Sequence, residues 1–243
     1  MERSGASTSS GTRSFIESVA GIPLLVRITI LVYIFFFIFI ALGLPILCRT
    51  DMAKRCQGNI SNRERFYILY HINRLRKDVA RGKEKKASGG EYMPSAVAMY
   101  KLQWSCILQS EAAKRAANSK DFHHIVPQDG VYEYYEASTK SPYEVVEDAF
   151  MYSVRSKLTD PSSLPKAEKQ LLTDTFTHVG CDLFKRGGGQ KLICIFGTTL
   201  DQDTREEPYV VGEPGSKCTT KSLEPLMPLC IYTEKKRKSS SNK

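Results

Sequence analysis

The 243-residue sequence contains no C-x-x-C array, no Walker-type phosphate loop and no RNP-like aromatic motif. Zinc-ribbon, nucleotide-cradling and RNA-stacking functions lose their usual signatures with them. Internal repeats are absent, which excludes solenoids and propellers. Histidine is scarce, with four in all, and no Ser/His/Asp or Cys/His constellation can be assembled from them. Seven cysteines, at 48, 56, 106, 181, 194, 218 and 230, are too sparse for a mini-protein stapled by bridges. They suit a secreted domain with a few disulfides on a real core.

What is present is ordinary globular composition, 42% hydrophobic and 25% charged, enough for one domain plus extra segments. The net charge of +9 is spread widely and is densest at Lys235-Lys236-Arg237-Lys238. Such a run reads as a solvated tail, and no nucleic-acid partner is indicated.

The most informative stretch runs from Thr177 to Phe196, two apolar runs around Gly187-Gly188. A type I′ turn needs φ > 0 at both central positions, so the stretch reads as a β-hairpin. Counting outward from the turn pairs Arg186 with Gly189 and, five rungs later, Cys181 with Cys194. That is a non-hydrogen-bonded pair, where Cα atoms lie closest and a cross-strand disulfide fits. The competing reading is two buried thiols beside a surface loop. A disulfide places the domain outside the cytosol. Cys218 and Cys230 are candidates to close a small C-terminal loop, Cys56 and Cys106 are unassigned, and Cys48 is the expected singleton.

Residues 1–27 begin rich in Ser, Thr and Gly and are expected to be disordered. Residues 28–47 form an uncharged apolar run of about bilayer-spanning length, read as a transmembrane segment or signal anchor. Cleavage after Gly43, with Ala41 at −3, or after Cys48 is the alternative. Arg49, Lys54, Arg55, Arg63 and Arg65 follow the run, which by the positive-inside rule would leave the domain in the cytoplasm. The disulfide and the sequon Asn59-Ile60-Ser61, which marks Asn59 for glycosylation, argue for an extracellular domain, secreted or single-pass type II.

Beyond the run, Ser61-Asn62-Arg63-Glu64 is a capping box, and Phe66, Leu69, Ile72, Leu75 and Val79 recur at helical spacing up to Gly82. A second helix is expected from about Ser105 to Asn118, with Ile107 or Leu108, Ala112 and Ala116 inward. Val131 to Tyr135 is β-prone. Ser141-Pro142-Tyr143-Glu144 opens a third helix with Val145, Val146, Ala149, Phe150 and Val154 inward, and a shorter helix covers Ala167 to Leu172. Helices followed by a hairpin imply an α+β or layered α-β-α domain.

Several of these segments resemble the CAP superfamily (SCP/TAPS domain), and within it the nematode activation-associated secreted proteins. The cysteine-led stretch Cys56 to Arg65, Asn73-Arg-Leu-Arg76 with Val79-Ala80-Arg-Gly82, and Leu102-Gln-Trp104-Ser-Cys106-Ile-Leu108 carry the first half. Val179-Gly-Cys181, Leu192-Ile-Cys194 and Tyr209 to Cys218 carry the second, with Gly215 in place of a cysteine. The resemblance covers residues 56–218, followed by an extension over 219–243 with the basic tail. It implies a three-layer α-β-α sandwich and a cleft often holding two histidines and two glutamates around a divalent cation.

The chain departs from that pattern in several places. The family's His-x-Thr-Gln falls on Ala167-Glu-Lys-Gln170 and its Gly-Glu-Asn on Gly130-Val131-Tyr132. Tyr152 stands where a second glutamate sits, with Glu147 the substitute in a shifted register. His123 or His124 is the remaining vestigial ligand, and His71 is displaced by one from the family's first-helix histidine. One ligand does not make a zinc site, so no metal, cofactor or catalytic residue is expected. His178 is read as a partly exposed strand histidine. The resemblance implies a noncatalytic extracellular protein that binds another protein, host-derived in parasite settings. Lipid or sterol carriage is the alternative, and a cation-dependent hydrolase the third.

Overall fold

A computed structural model describes Val26 and residues 28–35, 56, 58–118, 125, 128–198, 200, 205–223 and 226–233. The chain divides into two units, residues 1–53 and 54–243. In the first, residues 28–35 are helical and exposed. Among the described residues no helix is long and apolar enough to cross a membrane; the rest of the apolar run 28–47 lies outside the described residues.

The second unit opens with helix α1 (Asn62–Ala80), strand β1 (Gln103–Trp104) and helix α2 (Cys106–Asn118). Strand β2 (Val131–Glu136), helices α3 (Pro142–Glu147) and α4 (Lys166–Leu172), and the hairpin β3 (His178–Arg186) and β4 (Gly189–Gly197) follow. Both expected capping boxes are made: Glu64 N–H donates to Ser61 Oγ at 3.3 Å and Glu144 N–H to Ser141 Oγ at 3.3 Å. Helix α3 does not continue as a regular helix. It widens to a π-turn over Asp148–Ser153 and tightens to 3₁₀ over Arg155–Lys157, which still turns Ala149, Phe150 and Val154 inward.

The sheet runs β1-β3-β4-β2, with β3–β4 and β4–β2 antiparallel and β1 parallel to β3. The hairpin register is the one counted from the turn: Arg186 opposes Gly189, and Cys181 opposes Cys194 with Cα atoms 4.0 Å apart, closed by a disulfide. Gly187 and Gly188 take φ of +59° and +83°, which the type I′ turn requires. Alternation along the strands separates two cores. Val179, Cys181, Leu183, Leu192, Cys194 and Tyr132 face α1, α3 and α4, whereas Val131 and Ile193 meet Ala112 and Ala116 of α2. The result is three layers, α-β-α. Helix α2 lies directly on β3 at Gly180, where a Cβ would sit 2.1 Å from the Gln109 nitrogen.

Two further disulfides bracket the domain. Cys56–Cys106 ties the lead-in of α1 to the start of α2, and Cys218–Cys230 closes the C-terminal loop. Leu229 and Cys230 are buried in the core, and Cys230 exchanges backbone bonds with Met99 and Lys101. The fold therefore extends past Cys218 and takes in residues expected as an extension.

One expectation about α1 needs correcting. Phe66 is 61% exposed, and the buried stripe is Ile68, Ile72, Leu75 and Val79 together with Arg65, Asn73 and Arg76. A pattern that scores only apolar residues misses a face whose polar members are buried and bonded; Arg65 takes the inward position, donating from Nη2 to Cys56 O at 2.8 Å. Likewise Ile107 is exposed, and Leu108 of the offered pair is the partly buried one.

Asn73 and Arg76 explain why their spacing matters. The Asn73 side chain donates to Leu102 O at 3.0 Å and accepts from Leu102 N–H at 2.8 Å, acting as a backbone partner for the chain entering β1. Arg76, fully buried, donates from Nε and Nη2 to Tyr100 O, and from Nη1 to Leu171 O at 2.7 Å and Thr173 O at 3.0 Å. Burial lowers its pKa to about 9, with Asp174 opposing. Replacing Arg76 with Met strands three buried carbonyls, and we expect a loss of about 3–5 kcal/mol. Urea unfolding checks this: the midpoint should fall with m unchanged, and a loss below about 1 kcal/mol would refute the role given to Arg76.

Candidate functional site

Packing of α1 against α3 through Ile68, Ile72, Val145 and Val146 brings their flanking side chains together on the outer surface. Tyr67 and His71 are one turn apart on α1, as are Tyr143 and Glu147 on α3. The Tyr67 hydroxyl donates to Glu147 Oε1. Its ring meets Tyr143 edge-on at 5.0 Å between centroids and His71 at 4.4 Å, and His71 in turn meets Tyr70 at 5.3 Å. Such edge-to-face contacts favour fixed ring orientations. Phe66 and Tyr70, 61% and 44% exposed, complete an aromatic face.

The bond to Glu147 is the main cause that pushes the Tyr67 phenol up to about 12, so it remains a protonated donor at physiological pH. Burial lowers the His71 pKa; Glu147 pulls it back, while Arg74 and Arg155 reinforce the lowering. Its Nδ1 is buried without a hydrogen-bond partner. The crevice lined by Ile60, Tyr67, Tyr143 and Leu183 has no room for a water-sized body.

A separate open groove of about 670 Å³ lies where α4 and the following turn meet residues 205–208. Gln170, kept from the family pattern, lines it; its Oε1 accepts from Gly130 N–H at 2.7 Å. The groove carries both signs of charge, with Asp174 paired to Arg205 at 2.9 Å and Lys166 to Asp129 at 3.3 Å.

The described side chains at the expected ligand positions are engaged elsewhere. Ala167 packs on the core, Val131 faces α2, Tyr132 is buried with its hydroxyl donating to Ala149 O at 3.3 Å, and Tyr152 is 68% exposed. Glu147 is held by Tyr67. His123 and His124 lie outside the described residues. Among the described residues, no group of three His, Cys, Asp or Glu side chains could hold a metal ion. His178 is partly exposed, with Thr177 Oγ1 2.9 Å from its Nδ1 and the Tyr232 ring against it. Asn59 is exposed, its backbone N–H donating to Asp182 Oδ1 at 2.9 Å.

Sequence reasoning missed the aromatic face and a buried ion cluster. In the cluster, Glu133 accepts from Arg115 at 2.6 Å and contacts Lys191 Nζ at 3.0 Å beneath α2. The aromatic face did leave a signal in the i, i+4 pair Tyr67 and His71; the ion cluster joins three distant segments and left none.

The sequence matches the CAP family, the cysteine-rich secretory protein family, over residues 69–196. That is more than half of the chain, which therefore belongs to this family. Among solved structures it is similar to NaASP2, described with Zn²⁺, at 22% identity and TM-score 0.58, over 72% of this chain and 99% of that one. Na-ASP-1 follows at 21% and 0.56, over 68% of this chain and 46% of that one, so the match spans under half of Na-ASP-1. The hookworm platelet inhibitor matches at 19% and 0.51, over 68% and 86%. These likenesses carry the fold. No curated protein matches the chain.

His71 supplies a pH prediction. Its pKa in the fold lies below the ordinary value of about 6.5, so the unfolded chain binds the proton first and stability falls as pH drops through that window. His71→Phe keeps an aromatic edge and removes the titration. Thermal melts from pH 7.5 to 5 should show a smaller loss in the variant; identical pH profiles would contradict the assignment.

Proposed function

We propose that this protein is a noncatalytic extracellular member of the CAP family that acts by binding another protein through the outer face of α1 and α3. The observation that carries the reading is the exposure of Phe66 and Tyr70 beside the interlocked rings of Tyr67, His71 and Tyr143. Large aromatic side chains held on a rigid element bury much area at little entropic cost, the profile of interface hot spots. Arg76 and Asn73 fix the opposite side of the same helix, so the face is presented preorganised.

Three disulfides and the secretory family support an extracellular setting. The apolar run 28–47 would act as a type II anchor, or as a signal removed after Gly43 or Cys48. Asn59, exposed at the foot of α1, would carry a glycan. The proposed partner is a protein, host-derived in a parasitic setting.

Secretory eukaryotic expression of the full chain tests placement. We expect a gel shift lost in Asn59→Gln, with the protein in the medium if cleaved and in membranes if anchored. An unglycosylated chain whose domain is reached from the cytosol overturns the extracellular reading. Binding is tested by screening the secreted or displayed protein against defined extracellular proteins. Phe66→Ala/Tyr70→Ala should weaken a confirmed pair at least tenfold, about 1.4 kcal/mol, with unchanged melting temperature. A confirmed partner indifferent to that double substitution would move the interface elsewhere.

A further inference from the structure

The tip of the β3–β4 hairpin carries Lys185-Arg186-Gly187, a pair of basic residues followed by three glycines. We propose that this tip is a processing site for an endoprotease that cuts after paired basic residues. The cut converts the chain into a two-chain protein held by Cys181–Cys194. Water adds across the Arg186–Gly187 amide: the C–N bond breaks, Arg186 gains a carboxylate and Gly187 an ammonium. No further reactant is needed.

Access and conformation favour this bond. Lys185, Arg186, Gly187 and Gly188 are all exposed, and no atom lies within 4 Å of where a Cβ would sit on either turn glycine. Lys185 and Arg186 already lie in an extended strand, the form in which a peptide docks along another backbone. On the far side of the bond, glycine torsions let the chain swing into a protease cleft. Exposed tips of this kind are preferred sites of nicking.

Opening is confined to the tip. Phe184 packs on the Ala112, Ala116, Val131 and Ile193 cluster. On the other arm, Gln190 Nε2 donates to Lys140 O at 2.8 Å and Ser138 O at 3.4 Å, and Tyr135 lies over Gly189. Other paired basics among the described residues are less available. At Lys85-Lys86 the bond that would be cut has its Ala87 N–H tied to Leu158 O at 2.7 Å. Arg76-Lys77 and Lys114-Arg115 are wound into α1 and α2.

The disulfides decide what the cut does. Cys56–Cys106 lies wholly before Arg186 and Cys218–Cys230 wholly after it. Cys181–Cys194, buried five rungs below the tip, is the one described disulfide that joins residues 1–186 to 187–243.

The test is digestion of the native full chain, purified in detergent, with a kexin-type dibasic protease. We expect a new N-terminus at Gly187, two fragments on a reducing gel, and co-migration of those fragments without reductant. Arg186→Gln should slow that cut at least tenfold. Cuts at Lys54-Arg55 or within 235–238 only trim the ends and are told apart by sequencing. If the native chain stays intact at Arg186 while the heat-unfolded, reduced chain is cut there, the proposal fails. Fragments that separate without reductant would overturn the two-chain form.

Discussion

The guanidinium of Arg76 is the interaction on which the rest of this domain depends. It is a charge with no access to solvent, and such a group is tolerated only when its donors are matched. Carbonyls from three chain segments, at Tyr100, at Leu171 with Thr173, and weakly at Phe176, meet it. Those segments lead into β1, close α4 and approach β3. A single side chain thus sets the distance between the first helix and the sheet. Asp174 stands near enough to offset part of the charge, and its own carboxylate is pulled in opposite directions by burial, which raises its pKa, and by Arg205, which lowers it.

Much of this fold could be read before any coordinates. Both capping boxes, the glycine turn and the alternation around it each act within a few residues, so local chemistry dictates them and the strand register follows. What escaped was non-local or polar. Phe66 reads as inward because hydrophobicity is the visible part of a helical pattern, whereas Arg65 is buried against the carbonyl of Cys56 just ahead of the helix and Arg76 against carbonyls far away in sequence. The Cys56–Cys106 pairing was invisible for the same reason: it depends on how segments fifty residues apart meet.

The candidate site was less legible. Family motifs directed attention to a cation cleft, whereas the side chains described at those positions bond and pack within the fold. Gln170 still fastens Gly130, and Asn73 and Arg76 still anchor α1, while Ala167, Val131 and Tyr132 serve packing. The pair Tyr67 and His71 was visible in α1, but its joining to Tyr143 and Glu147 of α3 could only be seen once the helices were set side by side.

The Cys56–Cys106 bond has a mechanical consequence. Tension applied to the chain ahead of Cys56 enters α2 through that covalent bond and passes to β3 where the helix rests on Gly180. Helix α1, though next in sequence, is bypassed by this force path. Its hydrogen bonds and its aromatic surface would stay unstretched while the sheet, cross-linked by Cys181–Cys194, takes the pull.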